Sequence, residues 1–210
     1  MDLVGPKQLV PRRDAPSRAT ISGVIAVPLK GRLLIASPAL ADTNFDHTIV
    51  LVVEHSDEGA LGLVLNRPSV AAVAEALPGW APVAADPAVV FVGGPVSPDA
   101  AIGLALAAEA GRGDLPDGWA PILSGLGTVD LARDPGEVLP GVQVRVFAGY
   151  AGWTGGQLEN ELRAGGWFVV DADVDDALTT EPELLWRTVL RRQPGALAWL
   201  ANFPLDPATN

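Results

Sequence analysis

The chain has 210 residues, of which 49% are hydrophobic and 19% are charged, a composition typical of a globular protein with one core. It contains no Cys, which excludes disulfides, thiolate metal sites and cysteine nucleophiles. The net charge of −11 argues against a nucleic-acid-binding protein, because phosphate contacts require clustered Lys and Arg. No apolar run approaches the roughly 20 residues that span a bilayer, and the N-terminus has no apolar signal segment, so we expect a soluble cytoplasmic protein without membrane association.

Charge is distributed unevenly along the chain. Residues 1–20 contain two acidic residues and four basic ones, namely Lys7, Arg12, Arg13 and Arg18. This basic arm carries a net charge of +2, whereas the other 190 residues carry ten basic and 23 acidic side chains, or −13. We interpret residues 1–20 as a disordered tail and residues 21–210 as a single domain. Contact between the arm and a nucleic-acid backbone is the alternative.

The first predicted strands are short apolar runs. Arg32–Ser37 ends at a proline and is the first predicted core strand. Thr48–His55 is rich in β-branched residues, and Ala60–Leu65 follows it after a Ser-Asp-Glu-Gly turn. Two apolar runs joined by about four turn residues predict a tight antiparallel hairpin.

The middle of the chain mixes predicted strands with loops. Ser69 is placed to cap a short helix that ends at Leu77, just before a Pro-Gly pair. A surface loop is predicted at Glu109–Gly118. Further strands are predicted at Val89–Val92, Ala101–Ala107 and Thr128–Leu131.

The C-terminal part of the chain adds helices. Val142–Phe147 alternates apolar and polar residues with the period of a strand, and Trp167–Val170 is another apolar strand candidate. Gly155–Ala164 and Glu181–Gln193 have apolar residues at helical spacing. Because strands come in runs and helices come late, the pattern predicts an α+β fold rather than a series of βαβ units.

Five sequence runs together resemble one known family. They are LLIASP (33–38), EHSDEGALGLVLNRP (54–68), FVGGPV (91–96), VFAGYAGWTGGQLENEL (146–162) and LWRTVLRR (185–192). Their content and order resemble the AlgH/YqgE family of small bacterial proteins. The resemblance implies a single α+β domain, with a mixed or antiparallel β-sheet curled into a partial barrel and helices packed on it. It implies no established enzymatic activity, and the family name derives from a proposed role in transcriptional regulation.

Four polar residues flank the predicted hairpin, with Glu54 and His55 after its first strand and Asn66 and Arg67 after its second. If both ends meet at one edge of the sheet, a base, a cation and an amide converge there. A hydrolase for a small anionic substrate would use Glu54 or His55 as general base and Arg67 to hold the anion. The simpler interpretation is an ion pair between Arg67 and either Glu54 or a nearby Asp, with Asn66 closing a turn.

A second candidate site is the loop Gly93-Gly94-Pro95, which follows a predicted strand. Backbone N–H groups in such a loop bind anions. However, the GxxxxGK[ST] pattern is absent, and no lysine lies beyond residue 30. A tight turn is the simpler interpretation.

A third candidate site combines an aromatic segment with the start of the following helix: Tyr150, Gly152, Trp153, Gln157 and Glu161. The helix is expected to offer free N–H groups beside two aromatic rings, which together would form a cleft for a small ligand or a peptide. Packing of both rings in the core is the simpler interpretation.

Aromatic and histidine residues add two expectations. The chain has six Trp, and any exposed Trp would indicate a partner surface; we expect Trp199 and Phe203 to pack on the domain. The two His, His47 and His55, lie too far apart along one strand to share a metal ion, so we expect no metal and no cofactor.

These observations leave three functional hypotheses. The favoured one is a non-enzymatic binding or regulatory protein. The alternatives are a small hydrolase that acts through Glu54, His55 and Arg67, and a transcription-associated regulator that uses the basic arm. The expected partner is an unidentified protein or small molecule, and a homodimer is left open.

Overall fold

The computed structural model describes residues 28–38, 40, 42–107, 117–138 and 141–202. The predicted tail at residues 1–20, most of the predicted loop Glu109–Gly118 and Phe203 lie outside the described residues. Within them, the chain forms one curled, mainly antiparallel β-sheet with short helices packed against it. The sheet forms a half-barrel in a single α+β domain, which confirms the predicted fold class.

Ten strands make up the sheet: β1 (Arg32–Ala36), β2 (Ile49–Ser56), β3 (Gly59–Val64), β4 (Pro68–Ala72), β5 (Val89–Val92), β6 (Val96–Leu106), β7 (Trp119–Leu123), β8 (Leu126–Val129), β9 (Gln143–Thr154) and β10 (Trp167–Asp171). The described α-helices are α1 (Val73–Ala76), α2 (Pro135–Val138), α3 (Gln157–Arg163), α4 (Val174–Ala177), α5 (Leu185–Arg191) and α6 (Ala196–Leu200). Short 3₁₀-helices occur at Thr43–Phe45, Pro78–Val83 and Pro182–Leu184. No helix among the described residues is long and apolar enough to cross a membrane.

The strands follow the order β10-β1-β2-β3-β9-β6-β8-β7, and each neighbouring pair is antiparallel. β4 and β5 form an antiparallel ribbon, which joins the sheet because β5 pairs in parallel with β9. β9 therefore pairs with three strands, β3, β5 and β6.

Several elements agree with the sequence predictions. The β2–β3 hairpin is confirmed as antiparallel, and β5 occupies the predicted Val89–Val92. The predicted strand Val142–Phe147 is the first half of the longer β9. The predicted helix Glu181–Gln193 begins as the 3₁₀-helix Pro182–Leu184 and continues as α5.

The central strand β2 is buried on both faces along its first five residues. Ile49 and Leu51 of β2 belong to one core cluster, to which α5 contributes Trp186. Val50, which lies between them, belongs to a second cluster, to which α3 contributes Leu158. Burial on both faces explains why β2 is a continuous apolar run, because a strand with one solvated face would alternate.

The segment Gly93–Pro95 crosses over β9. On one edge of β9, β5 places Val92 opposite Ala148. On the other edge, β6 places Val96 opposite Tyr150. Since a strand has only two edges, the residues between Val92 and Val96 must pass over the backbone of β9.

Glycine makes this crossing sterically allowed. A Cβ atom on Gly94 would lie 2.2 Å from the carbonyl carbon of Tyr150, and one on Gly93 would lie 2.3 Å from the carbonyl oxygen of Gly149. Gly94 and Gly149 also have positive φ angles of 155° and 70°, which other residues rarely adopt. The two backbones can approach this closely only because both carry glycine.

The helix predicted from Ser69 to Leu77 is wrong over its first half. Pro68–Ala72 forms the strand β4 because it pairs with β5, and only Val73–Ala76 is helical. The hydroxyl of Ser69 accepts a hydrogen bond from the Ala71 N–H at 3.1 Å and caps no helix. Tertiary pairing has overridden the local helical pattern.

The prediction that Trp199 packs on the domain is also wrong. Helix α6 packs Leu197 and Leu200 against the core, and these residues lie three positions apart on one helical face. Trp199 lies outside that face and is 75% exposed. The other five Trp are buried.

We expect Gly94→Ala to destabilise the protein by roughly 3 kcal/mol, because its Cβ would overlap the Tyr150 backbone at an unfavourable φ. Urea denaturation of the two proteins measures the difference. Gly79→Ala is the matched control, since its Cβ would have no atom within 4 Å and its φ is not positive. Equal midpoints for Gly94→Ala and the parent protein would contradict the crossing.

Candidate functional site

The carboxylate of Glu161 on α3 holds two tryptophans. Its Oε2 accepts hydrogen bonds from Trp153 Nε1 at 2.9 Å and from Trp167 Nε1 at 2.8 Å. The two indoles pack edge to face at 5.9 Å, and the Phe45 ring packs against both, with centroids 6.3 Å from Trp153 and 5.3 Å from Trp167. The single carboxylate thereby ties α3 to both β9 and β10.

Gln157 completes this group, which we call the α3 aromatic cluster (Phe45, Trp153, Gln157, Glu161 and Trp167). Its Nε2 donates to Glu161 Oε1 at 3.0 Å. Its Oε1 accepts from the N–H and the hydroxyl of Thr154 at 3.1 and 3.2 Å. The polar side-chain atoms of the cluster therefore bond to one another and to β9, and the cluster is a structural clamp between helix and sheet.

The sequence correctly groups Trp153, Gln157 and Glu161, but the predicted cleft between two aromatic rings is wrong. Tyr150 packs on the core cluster that contains α5, whereas Trp153 packs on the cluster that contains α3. Residues three positions apart on a strand point to opposite faces, so the two rings cannot flank one ligand. Gly152 lies near the Tyr150 ring, where a Cβ atom would come within 3.3 Å of it.

His55 has a partner for each ring nitrogen. The Leu29 N–H donates to Nδ1 at 3.2 Å, so Nε2 carries the proton and donates to Glu159 Oε1 at 2.8 Å. A hydrogen bond from its own backbone N–H and the one from His55 lower the pKa of Glu159. The side chain of His55 is only 6% exposed and links the hairpin to α3.

Glu54 also has a partner at this end of the hairpin. Its Oε1 lies 2.6 Å from Lys30 Nζ. Glu54 therefore pairs with Lys30, and the interpretation that it pairs with Arg67 is wrong. The contact is exposed and contributes at most about 1 kcal/mol.

Asn66 and Arg67 lie at the opposite end of the hairpin. Asn66 Oδ1 accepts from the Ile49 N–H and its Nδ2 donates to the His47 carbonyl, both at 2.9 Å. Arg67 Nη2 lies 3.5 Å from the Asp46 carbonyl oxygen, and burial lowers the pKa of Arg67. Asn66 thus closes the entry into β2, a long-range contact and not the local turn that the simpler interpretation predicted.

The predicted convergence of these four residues is wrong. The hairpin register pairs His55 with Ala60, next to the turn, and Val50 with Val64, at the open end. Glu54 is five residue steps along β2 from Ile49, which Asn66 contacts, a length of about 17 Å. A catalytic group that combines Glu54 or His55 with Arg67 does not exist in this geometry.

The loop Gly93-Gly94-Pro95 presents no free anion-binding group at its first residue. The Gly93 N–H donates to the Ala148 carbonyl at 2.9 Å, and its carbonyl accepts from the Val64 N–H at 2.9 Å. The tight-turn interpretation is wrong as well, because the segment is the crossing over β9. The backbone of this segment and that of the AGYAGW segment (148–153) contact each other at the crossing.

The two histidines remain apart. His47 Nδ1 lies 2.7 Å from Asp46 Oδ1, and its ring packs edge-on against Trp186 at 4.8 Å. Among the described residues, no group of three His, Cys, Asp or Glu side chains is placed to hold a metal ion.

Sequence reasoning did not single out the buried charge of Arg145. This side chain is 1% exposed and lies 4.4 Å over the Phe91 ring. It donates to the carbonyls of Asp86 at 2.5 Å and of Ala177 at 3.3 Å. Burial lowers the pKa of Arg145 to about 10. Arg145 thereby ties β9 to the loop before β5 and to α4.

A groove beside β4 was also missed. It has a volume of about 600 Å³ and lies between the β4–β5 ribbon and the 3₁₀-helix Pro182–Leu184. Val70 on β4 is fully exposed, and Leu184 on the opposite wall is 48% exposed. The predicted helix at Ser69 concealed this site, since only a strand brings Val70 to the groove.

Together, the half-barrel, the crossing over β9 and the α3 aromatic cluster define a class of α+β domain whose polar motifs hold strands and helices in place. The chain belongs to the AlgH-like family, whose sequence model matches residues 33–198. This confirms the resemblance found in the five sequence runs.

The family includes similar sequences and solved structures. The chain is 49% identical over 193 residues to the UPF0301 protein SCO2948 of Streptomyces coelicolor, covering 90% of this chain and 100% of that protein. The crystal structure of DIP2367 from Corynebacterium diphtheriae matches with a TM-score of 0.76 at 31% identity, over 84% of this chain and 93% of that one. The solution structure of the AlgH protein from Pseudomonas aeruginosa matches with a TM-score of 0.61 at 30% identity, over 92% of this chain and 98% of that one.

We expect Glu161→Ala to lower the free energy of unfolding by about 2–4 kcal/mol, because two buried indole N–H groups lose their acceptor. Glu58→Ala, in the exposed turn of the hairpin, is the control and should change stability by less than about 0.5 kcal/mol. Chemical denaturation gives both values.

A double-mutant cycle isolates the hydrogen bond. Trp153→Phe removes one indole donor, so it should cost less in the Glu161→Ala background than in the parent protein. Strictly additive losses would show that Glu161 and Trp153 do not interact.

Proposed function

We propose that this AlgH-like protein is a non-enzymatic protein that acts by binding another protein through the groove beside β4. The observation that supports the proposal most strongly is the exposed apolar pair Val70 and Leu184 on facing walls of one groove. Single exposed apolar residues are ordinary, whereas apolar groups gathered in one depression are typical of binding sites.

Other apolar residues that line the groove also support the proposal. Pro68 and Val89 line it from the β4–β5 ribbon, and Pro182 lines it from the 3₁₀-helix. Removing such apolar surface from water stabilises a complex by roughly 25 cal/mol per Å². A partner that buries this surface therefore gains affinity without further change in the fold.

The polar candidates support binding rather than hydrolysis. Both ring nitrogens of His55 have partners, and Glu54 pairs with Lys30. Arg67 lies at the far end of the hairpin. The carboxylate beside His55 is that of Glu159, but the other ring nitrogen of this buried imidazole accepts from the Leu29 N–H, so neither nitrogen is open to a substrate. The regulator hypothesis draws only on the basic arm, which lies outside the described residues.

A photo-crosslinking amino acid at position 70 tests the proposal. In cells of the source species, we expect a defined protein adduct at position 70, because a bound partner would contact this side chain. Position 92 is the matched control: Val92 is also an exposed strand valine, at 44%, but it does not line the groove. Adducts of equal yield at both positions, or at neither, would contradict a specific site at the groove.

A further inference from the structure

We propose that the groove beside β4 accepts a short extended segment of a partner protein, in which an apolar side chain is flanked by basic residues. The proposal rests on the proposed function and adds the chemistry of the bound segment. Three features of the groove carry it: its unpaired acidic rim, its apolar walls and the edge strand beside it.

The rim of the groove is acidic. Glu181 and Glu183 line it and are both exposed. No Lys or Arg of the described residues forms an ion pair with either carboxylate, and no basic residue lines the groove. The two charges lie on one short helical turn, so their fields add at the mouth of the groove. A basic segment complements them, and an acidic one is repelled.

Neither of the two basic residues nearest to the groove in sequence neutralises this rim. Arg187 follows Glu183 by four positions, but it forms no ion pair with a described residue and does not line the groove. Arg67 precedes Pro68 directly, but its guanidinium lies near the carbonyl of Asp46. The site is thus acidic within a chain that is itself acidic, with a net charge of −11.

The apolar walls specify the side chain between the basic residues. Val70 and Leu184 contact solvent from opposite walls, and prolines flank both of them. Neither residue offers a hydrogen bond from its side chain, so a polar group between them would lose water without compensation. An aliphatic or aromatic side chain fits this position.

The edge strand favours an extended segment. β4 pairs only with β5 among the described strands, so its other edge has no strand partner. An extended peptide can add to such an edge through main-chain hydrogen bonds. The edge is short and partly blunted, because Pro68 has no N–H and the Ser69 hydroxyl accepts the Ala71 N–H. Only a few residues of a partner can pair here, and the acidic rim must supply much of the specificity.

The crosslinker at position 70 is combined with charge reversal in the full-length chain. Glu181→Lys with Glu183→Lys should lower the adduct yield at least tenfold, because a basic segment is then repelled. Asp57→Lys with Glu58→Lys is the matched control, since it changes the net charge equally at the exposed hairpin turn, away from the groove. Urea denaturation should show both variants as stable as the parent protein.

Mass spectrometry of the adduct identifies the bound segment. We expect a peptide from another protein with at least two Lys or Arg around an apolar residue, and a yield that falls as salt increases. Three results would overturn the inference and leave the groove as a binding site. They are an adduct with residues 1–20 of this chain, an adduct with an acidic segment, and a yield that Glu181→Lys with Glu183→Lys does not change. Absence of any adduct at position 70 would instead overturn the proposed function.

Discussion

The close crossing of two backbones at Gly94 and Gly149 is the contact on which the rest of the structure depends. It allows β5 to lie on one edge of β9 and β6 on the other within a span of only three residues. A Cβ atom on either side would overlap the opposite backbone. β5 in turn is the described strand that holds β4, and β4 forms one wall of the groove. The candidate binding surface is therefore positioned by a steric constraint more than 15 residues away in sequence from Val70.

The polar residues that the sequence indicates as candidate sites also hold elements of the structure together. Glu161 joins two indoles to α3, His55 joins the hairpin to the same helix, and Asn66 closes the entry into β2. A sheet whose central strand is buried on both faces leaves few places where such groups can be satisfied, so each is fixed by a specific partner. The family motifs thus explain the fold, and the function that we propose rests on a surface whose residues form no motif.

The sequence predicts elements well where the pattern is local. The apolar run of β2 and Val89–Val92 follow from strand propensity. The hairpin turn is also where turn chemistry predicts it, but it is shorter than the predicted four residues, because Ser56 pairs with Gly59 and only Asp57 and Glu58 lie between them. The family resemblance supplied the partial barrel.

The predicted sites were wrong where the long-range register of the strands decides which residues meet. Whether Glu54 meets Arg67 depends on which residues of the hairpin pair, and whether Tyr150 and Trp153 share a face depends on β9 continuing to Thr154. The groove was missed because Ser69 and its neighbours have a helical pattern, and only pairing with β5 makes them a strand.

Native-state hydrogen exchange of two backbone amides tests the dependence of the structure on the crossing most directly. The Val64 N–H donates to Gly93, and the Gly93 N–H donates to Ala148. If the crossing holds the half-barrel together, both amides exchange only through global unfolding, with the same free energy that denaturation gives. If they exchange through a local opening of much lower free energy while β2 and β9 stay protected, the sheet and the groove do not depend on the crossing, and the account is wrong.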